Sequence, residues 1–276
     1  QFHRQQCRRS WWDNPRPGLT LGQRIKPVSR AGLYVPGGGG GTTPLISSVL
    51  MCGLPARIAG VKDVTMITPA RADNSISPYL LCAAKRAGIT RILKLGSAWG
   101  IAALAFGTES VNKVDVIVGP GNIYVTLAKK LVNGTVGIDM VAGPSEILIL
   151  ADADANPTFI AADMLGQAEH DPRASSVLIT TSQTLAEKVS QQLDTQLKSL
   201  SRAEIAAKSL KDYGAILVTQ NLDDAFNLAN NIAPEHLELM LEDALPQLGR
   251  IHSAGAIFLG SYTPEAVGDY VAGTNH

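Results

Sequence analysis

Three short clusters in the second half of the chain carry groups able to bind a metal or move a proton. Gln167-Ala168-Glu169-His170 sets an amide oxygen and an imidazole three residues apart. On a helix that spacing puts both on one face. Such a pair can hold a borderline cation such as zinc, and it reads equally as a polar helix end in solvent. Glu235-His236 joins a carboxylate to an imidazole. Neighbours on a strand point apart, which suits two proton transfers at different atoms of one substrate. A salt bridge in a loop is the alternative. Asp269 follows Gly268 and precedes Tyr270, with Thr274-Asn275-His276 close behind. Taken alone, an Asp after Gly is a turn residue. His3 and His252 have no such company and read as structural.

The elements that must position these groups alternate between strand and helix. Glu146–Ala151 is a short apolar run, fit for a strand buried on both faces. Asn156 and Pro157 then suit the N-cap and first position of a helix, which should end near His170 because Asp171-Pro172 disfavours continuation. Earlier, Leu33-Tyr34-Val35 reads as a strand, followed by Pro36 and the glycines Gly37–Gly41. That run either lets backbone approach a ligand or makes a loose turn. Helices over Thr42–Ala59, Ser77–Ala87 and Trp99–Phe106 alternate with strands over Val64–Thr68, Arg91–Leu95 and Val114–Val118. Gly119-Pro120-Gly121-Asn122 then leads into a helix to about Val132. The rhythm repeats after a seam near residues 141–144, through strands at Ser176–Thr180, Ala215–Thr219, Leu237–Met240 and Ala256–Leu259. Residues 1–32 read as a helix end and a connecting arm. The fold class is α/β, with two Rossmann-like domains whose largely parallel sheets are covered by helices and which lack a standard G-x-G-x-x-G fingerprint. Residues 33–143 form the first domain; residues 1–32 and 144–276 form the second. All three polar clusters fall at element ends in the second series, where open α/β sheets bind ligands.

Composition narrows the partners. Lys plus Arg and Asp plus Glu each number 24, so no net charge points to nucleic acid or an anionic membrane surface. No apolar run reaches the roughly 18 residues of a membrane span. The N-terminal stretch is basic but has no apolar core, so it is not a secretory signal. It also lacks an initiator Met, which suggests a trimmed chain. Cys7, Cys52 and Cys82 are widely spaced, as expected for reduced thiols in a cytoplasmic protein.

Taken together, Y-V-P-G-G (34–38), A-L-A-F-G-T-E-S-V (103–111), G-P-G-N (119–122), A-G-P-S-E (142–146), Q-A-E-H (167–170), A-P-E-H-L (233–237) and G-D-Y-V-A-G-T-N-H (268–276) resemble the histidinol dehydrogenases in order and spacing. The resemblance implies a zinc-dependent, NAD-linked enzyme that oxidises L-histidinol through the aldehyde to L-histidine, the last step of histidine biosynthesis. It implies Gln167, His170 and Asp269 as zinc ligands, and Glu235 and His236 as the acid–base pair. Ser145 would contact substrate together with Gln167, His170, His236 and Asp269. Tyr34 and Asn122 match positions that contact NAD, which puts the cofactor on the first domain and the zinc and catalytic residues on the second. The family pattern further implies a cytoplasmic homodimer. It also implies additional residues at both ends, with the partner subunit supplying one more zinc ligand and a substrate-binding carboxylate. Ser97-Ala98-Trp99-Gly100 departs from the pattern, with Trp99 where the family usually offers Gln to the cofactor. Two other readings fit the same residues. One is a paralogue oxidising another alcohol, such as a sulfonated diol; the other is a non-catalytic module that binds zinc or a nucleotide.

Overall fold

The computed structural model of the protein describes residues 1–38, 44–89 and 91–274. The chain divides into two compact units, Gln1–Ala142 with a few residues after Val271, and Gly143–Val271. The division falls at the seam expected near residues 141–144.

In the first unit, a short helix α1 (Phe2–Gln5) precedes an antiparallel hairpin, β1 (Trp11–Arg16) with β2 (Leu19–Gln23). The hairpin replaces the arm expected from sequence. Its strands are almost wholly exposed, so the apolar periodicity that betrays a core strand is missing. Residues 1–32, expected with the second domain, belong instead to the first unit, where α1 packs on the helix that follows β3.

The body of this unit is an all-parallel sheet. Its strands are β3 (Arg30–Tyr34), β4 (Asp63–Thr68), β5 (Arg91–Lys94), β6 (Val116–Val118) and β7 (Gly137–Ile138), in spatial order β5-β4-β3-β6-β7. Helices α2 (Ile46–Ala59) and α3 (Pro78–Ala87) cover one face, burying Val49, Leu80 and Ala84 against Leu33 and Met66. Helices α4 (Ser97–Phe106) and α5 (Ile123–Val132) cover the other, with Ile101, Leu104 and Val125 against Ile67 and Ile117. Burial on both faces is why these strands are runs of apolar residues with no alternation. Gly60 and Gly88 end α2 and α3 in the left-handed region, the usual glycine stop. Thr42, the expected start of α2, and Gly39–Gly41 lie outside the described residues, as does His276.

The second unit repeats the plan. Strands β8 (Glu146–Ala151), β9 (Ser175–Thr180), β10 (Gly214–Val218), β11 (His236–Met240) and β12 (Ala256–Leu259) form a parallel sheet in the order β10-β9-β8-β11-β12. Helices α6 (Pro157–Ala168) and α7 (Gln183–Leu197) pack Ile160, Met164 and Val189 on Ile147, Ile149 and Met240. After α8 (Ala203–Tyr213), helix α9 (Leu222–Ile232) packs Phe226 and Ala229 on the other face, against Leu148, Leu150, Leu237 and Leu239. The chain then passes through α10 (Ala244–Gln247), α11 (Glu265–Val267) and a π-helical turn over Gly268–Ala272. In each sheet the strand order reverses between the first and fourth strands, β3/β6 and β8/β11. Such a reversal is the switch point of a doubly wound fold.

Candidate active site

In the second unit, β8 and β11 are neighbours and begin almost side by side, with His236 paired to Ile147. Their first residues are Glu146 and His236, so the polar cluster stands on the amino ends of the strands. The rule applied to the sequence points to the carboxyl ends. The polar cluster therefore stands at the opposite ends of these strands from the ones the rule selects.

The local chain explains how His236 and Glu235 are aimed. Helix α9 stops at Ala233, whose backbone is left-handed at φ 53°. A non-glycine residue there is strained, and such strain gathers at functional turns. The Glu235 carbonyl accepts the Ala256 amide at 2.9 Å, and the Pro234 carbonyl accepts the Gly255 amide at 3.1 Å. A Cβ on Gly255 would lie 2.7 Å from the Glu235 carbonyl oxygen, so only glycine permits this close pairing. The Glu235 side chain turns back and accepts the Glu146 amide at 3.2 Å through Oε2.

His236 is 5% exposed, and its two ring nitrogens face different groups. Nδ1 lies 3.1 Å from the Glu146 carbonyl oxygen and 3.9 Å from Oε2 of Glu235. A carbonyl only accepts, so Nδ1 carries the hydrogen and Nε2 keeps the lone pair in the neutral ring. Nε2 points toward Glu265, whose Oε1 is 3.9 Å away. The arrangement can take a proton at Nε2 while Nδ1 is held in place.

The three residues expected to hold a metal occupy unlike settings. Asn156 caps α6 as expected, its Oδ1 accepting the Thr158 amide at 2.9 Å. The helix ends at Ala168, short of the expected His170. Gln167 is buried in its last turn, whereas His170 is exposed just beyond it, its amide bonded to the Gln167 carbonyl at 3.1 Å. The imidazole is thus carried by the turn that closes α6, joined to Gln167 by that i to i+3 bond. Asp269 is half-buried in the π-helical turn, a distortion often found at functional sites. Amide oxygen, imidazole and carboxylate form a donor set that zinc accepts. Ser145 is half-buried just before β8, and its carbonyl accepts the Ser175 amide at 3.1 Å.

In the first unit, Tyr34 ends β3 and Asn122 follows β6, so both stand at the carboxyl ends beside the switch point. Tyr34 is buried, and its hydroxyl accepts the Ser97 amide at 3.3 Å. Burial raises its pKa above the ordinary tyrosine value. Trp99, two residues on in α4, is 77% exposed. Asn122 caps α5, its Oδ1 accepting the Tyr124 and Val125 amides at 3.1 and 3.2 Å. That leaves its Nδ2 hydrogens as donors toward a ligand. Between Tyr34 and Asn122, Gly119 has φ +114°, and a Cβ there would lie 2.1 Å from the Tyr34 carbonyl oxygen. Asp139 accepts the Gly119 amide at 2.7 Å, and Lys129 donates to the Gly119 carbonyl at 2.9 Å. Lys129 is also ion-paired with Asp139. A glycine loop held this way at a switch point, with a helix N-terminus behind it, suits a nucleotide phosphate.

Lys129 and Asp139 in the first unit and Glu265 in the second lie outside the motifs, as do Asp163 on α6 and Glu238 on β11, whose carboxyls are the nearest acidic neighbours of one another. Glu238 carried a signal, because it interrupts the apolar strand HLELM at a position buried on both faces.

Two doubly wound parallel sheets, one with a glycine loop at its switch point and the other with a histidine between carboxylates, define a two-unit Rossmann-like α/β protein. Solved structures share that architecture at low sequence identity. A putative aldehyde dehydrogenase from Burkholderia cenocepacia superposes with a TM-score of 0.59 at 15% identity, over 94% of this chain and 67% of that one. At such identity the likeness is one of fold alone. The chain belongs to the histidinol dehydrogenase family, whose profile matches residues 1–276. It is 59% identical over 275 residues to a histidinol dehydrogenase of Desulfotalea psychrophila and 50% identical over 276 residues to that of Lactococcus lactis subsp. lactis. Each comparison takes in 100% of this chain and 63% of the relative, so the chain spans under two thirds of these proteins. The crystal structure of histidinol dehydrogenase from Elizabethkingia anophelis superposes with a TM-score of 0.94 at 40% identity, over 100% of this chain and 63% of that one.

Proposed function

We propose that the protein oxidises L-histidinol through histidinal to L-histidine, using NAD and zinc, as the last step of histidine biosynthesis. Family membership supports the reaction, and one observation carries the mechanism. Nδ1 of His236 is tied to the Glu146 carbonyl, so Nε2 is the nitrogen with the lone pair that can accept a proton.

In the first oxidation, Nε2 of His236 takes the substrate hydroxyl proton as hydride leaves the carbon. The resulting aldehyde must be hydrated before a second hydride can depart. Glu235, anchored through Oε2 to the Glu146 amide, takes a proton from the water that adds to the aldehyde carbon. His236 returns its first proton to the aldehyde oxygen as the water adds, and so is free to accept the hydroxyl proton of the hydrate in the second oxidation. Both side chains are anchored on Glu146, Glu235 at its amide and His236 at its carbonyl, and the two bases divide this work between the hydroxyl and the water. Gln167, His170 and Asp269 would hold zinc, and Ser145 would contact the substrate beside them. Tyr34 and Asn122 would contact NAD. When bound, NAD accepts the hydrides, and zinc supplies positive charge that orients the substrate's nitrogen donors.

The proposal extends to a cytoplasmic homodimer, as the family resemblance implies. Among the described residues no helix is long and apolar enough to cross a membrane. The test uses the full-length protein with zinc, NAD and L-histidinol, following NADH absorbance and the histidine formed. Two NADH per histidine is the expected result. NADH production with no histidine, or none with this substrate, would refute the assignment.

A further inference from the structure

Beneath His236 lies a group of carboxyls that the proposed reaction does not use. Glu238 is two residues further along β11, so it faces the same side of the sheet as His236 and Met240. That side packs on α6, which sets Asp163 close enough to Glu238 for each carboxyl to shift the titration of the other. Glu238 is 1% exposed. Its Oε1 accepts the Glu265 amide at 2.7 Å. Its Oε2 is fully buried and receives no hydrogen bond from a donor among the described residues.

Two carboxylates this close, with one oxygen buried and lacking a donor, cannot both stay ionised at modest cost. A cation could neutralise them, but among the described residues no group of three or more His, Cys, Asp or Glu is arranged to hold a metal. A proton solves both problems at once. Placed on Oε2 of Glu238, it gives the buried oxygen a bond to donate and gives Asp163 a donor to accept. The charged groups acting on Glu238 are Asp163 from α6 and Glu265 from α11, both acidic, and the ring of His236 lies on the same face of β11; among the described residues no Lys or Arg is paired with Glu238. Burial, then the Asp163 charge, pushes Glu238 up to about 9; burial pushes Asp163 up to about 6.

The protonated acid leaves Oε1 available to receive the amide of Glu265, the first residue of α11. That bond sets the Glu265 backbone, and the Glu265 carboxylate stands 3.9 Å from Nε2 of His236. We propose that Asp163 and Glu238 hold one proton between them and anchor Glu265, so that its carboxylate is the counter-charge to His236 protonated at Nε2. Glu238 and Asp163 are positioning residues, because they act through Glu265. The inference rests on the proposed role of His236 as base, but the shared proton can be tested without that role.

Three variants of the full-length protein, Glu238→Gln, Glu238→Ala and Glu265→Gln, test this. Infrared spectra near neutral pH should show the carbonyl band of a protonated carboxylic acid, absent from Glu238→Gln. Gln reproduces the neutral acid, donating toward Asp163 and accepting the Glu265 amide. Glu238→Ala should therefore lower kcat about 10–100-fold, as expected for groups that orient a site residue, with KM changed less than about twofold. Glu238→Gln should restore most of that loss. Glu265→Gln should lower kcat in the same way and leave the infrared band in place. Failure of Glu238→Ala to fold leaves the infrared comparison on Glu238→Gln decisive. A wild-type spectrum without the acid band, or a Gln variant as impaired as the Ala variant, overturns the proposal. A protein that shows the band but does not oxidise histidinol retains the shared proton and refutes the counter-charge role together with the proposed function.

Discussion

Nδ1 of His236 lies 3.1 Å from the carbonyl oxygen of Glu146, so the first residues of two adjacent strands are tied across the amino edge of the second sheet. The bond fixes which nitrogen can act as base. In the full-length protein, His236→Asn should keep a hydrogen bond of this kind but lose the base, and histidinol turnover should fall about 10²–10⁴-fold. Glu235→Gln should slow oxidation of supplied histidinal much more than oxidation of histidinol, since only the aldehyde step needs hydration. Equal losses in both half-reactions would contradict that division.

The Lys129–Asp139 pair is a stability determinant of the first unit. Lys129 is 3% exposed on its side chain and also bonds the Gly119 carbonyl. Lys129→Met leaves Asp139 and that carbonyl without their cation. Breaking one partner of a buried pair costs about 3–5 kcal/mol, and each kcal/mol moves the melting temperature by roughly 2–4 °C in domains of this size. A melting temperature within about 2 °C of the parent would show that the pair is dispensable.

Gly119 is the position where a side chain should damage the candidate nucleotide loop directly. Its φ of +114° is costly for other residues, and an added Cβ would meet the Tyr34 carbonyl oxygen at 2.1 Å. Gly119→Ala should displace either the loop or the end of β3 and weaken NAD binding by at least about tenfold, roughly 1.4 kcal/mol. Titration calorimetry with NAD alone measures this apart from turnover. Unchanged affinity would move the cofactor away from this switch point.

Zinc affinity should depend on Gln167, His170 and Asp269 together. Alanine at any one should weaken zinc binding by about 10–100-fold or more, read by competition with a chromogenic chelator in the absence of substrate. His170→Ala should do so with little loss of stability, because the residue is exposed beyond the helix end. A variant of any of the three with parental zinc affinity would remove that residue from the ligand set.

The Glu238 proton should also appear in the pH dependence of stability. Burial and Asp163 raise the folded-state value of Glu238 to about 9, well above that of an exposed carboxyl. Between the ordinary carboxylate range and that value, the native state holds a proton that the unfolded chain has released. This contribution to stability is therefore full in acid below the unfolded value and is lost as pH rises toward about 9. Urea midpoints measured across that interval should fall for the parent and fall less for Glu238→Gln. Parallel profiles would mean that Glu238 is not the group responsible.

The alternation of apolar strands and helices is a local property, so the two series, the seam and most helix ends could be read from sequence. Asn156 and Pro157 opening α6, and Gly60 and Gly88 closing α2 and α3, act through their own backbone conformations. The motifs Q-A-E-H, A-P-E-H-L and G-P-G-N likewise marked candidate residues without a fold. The hairpin Trp11–Gln23 escaped because its exposed strands carry no core periodicity. Strand order decided that the start of β8, with Glu146, lies beside His236 at the start of β11, and His170 proved to lie past the end of α6. The tautomer of His236 follows from a carbonyl 90 residues away. The grouping of Asp163, Glu238 and Glu265 likewise needed α6, β11 and α11 to pack together. Periodicity and capping act within a few residues, whereas hydrogen-bond partners and buried charges depend on which elements become neighbours, which only the tertiary structure determines.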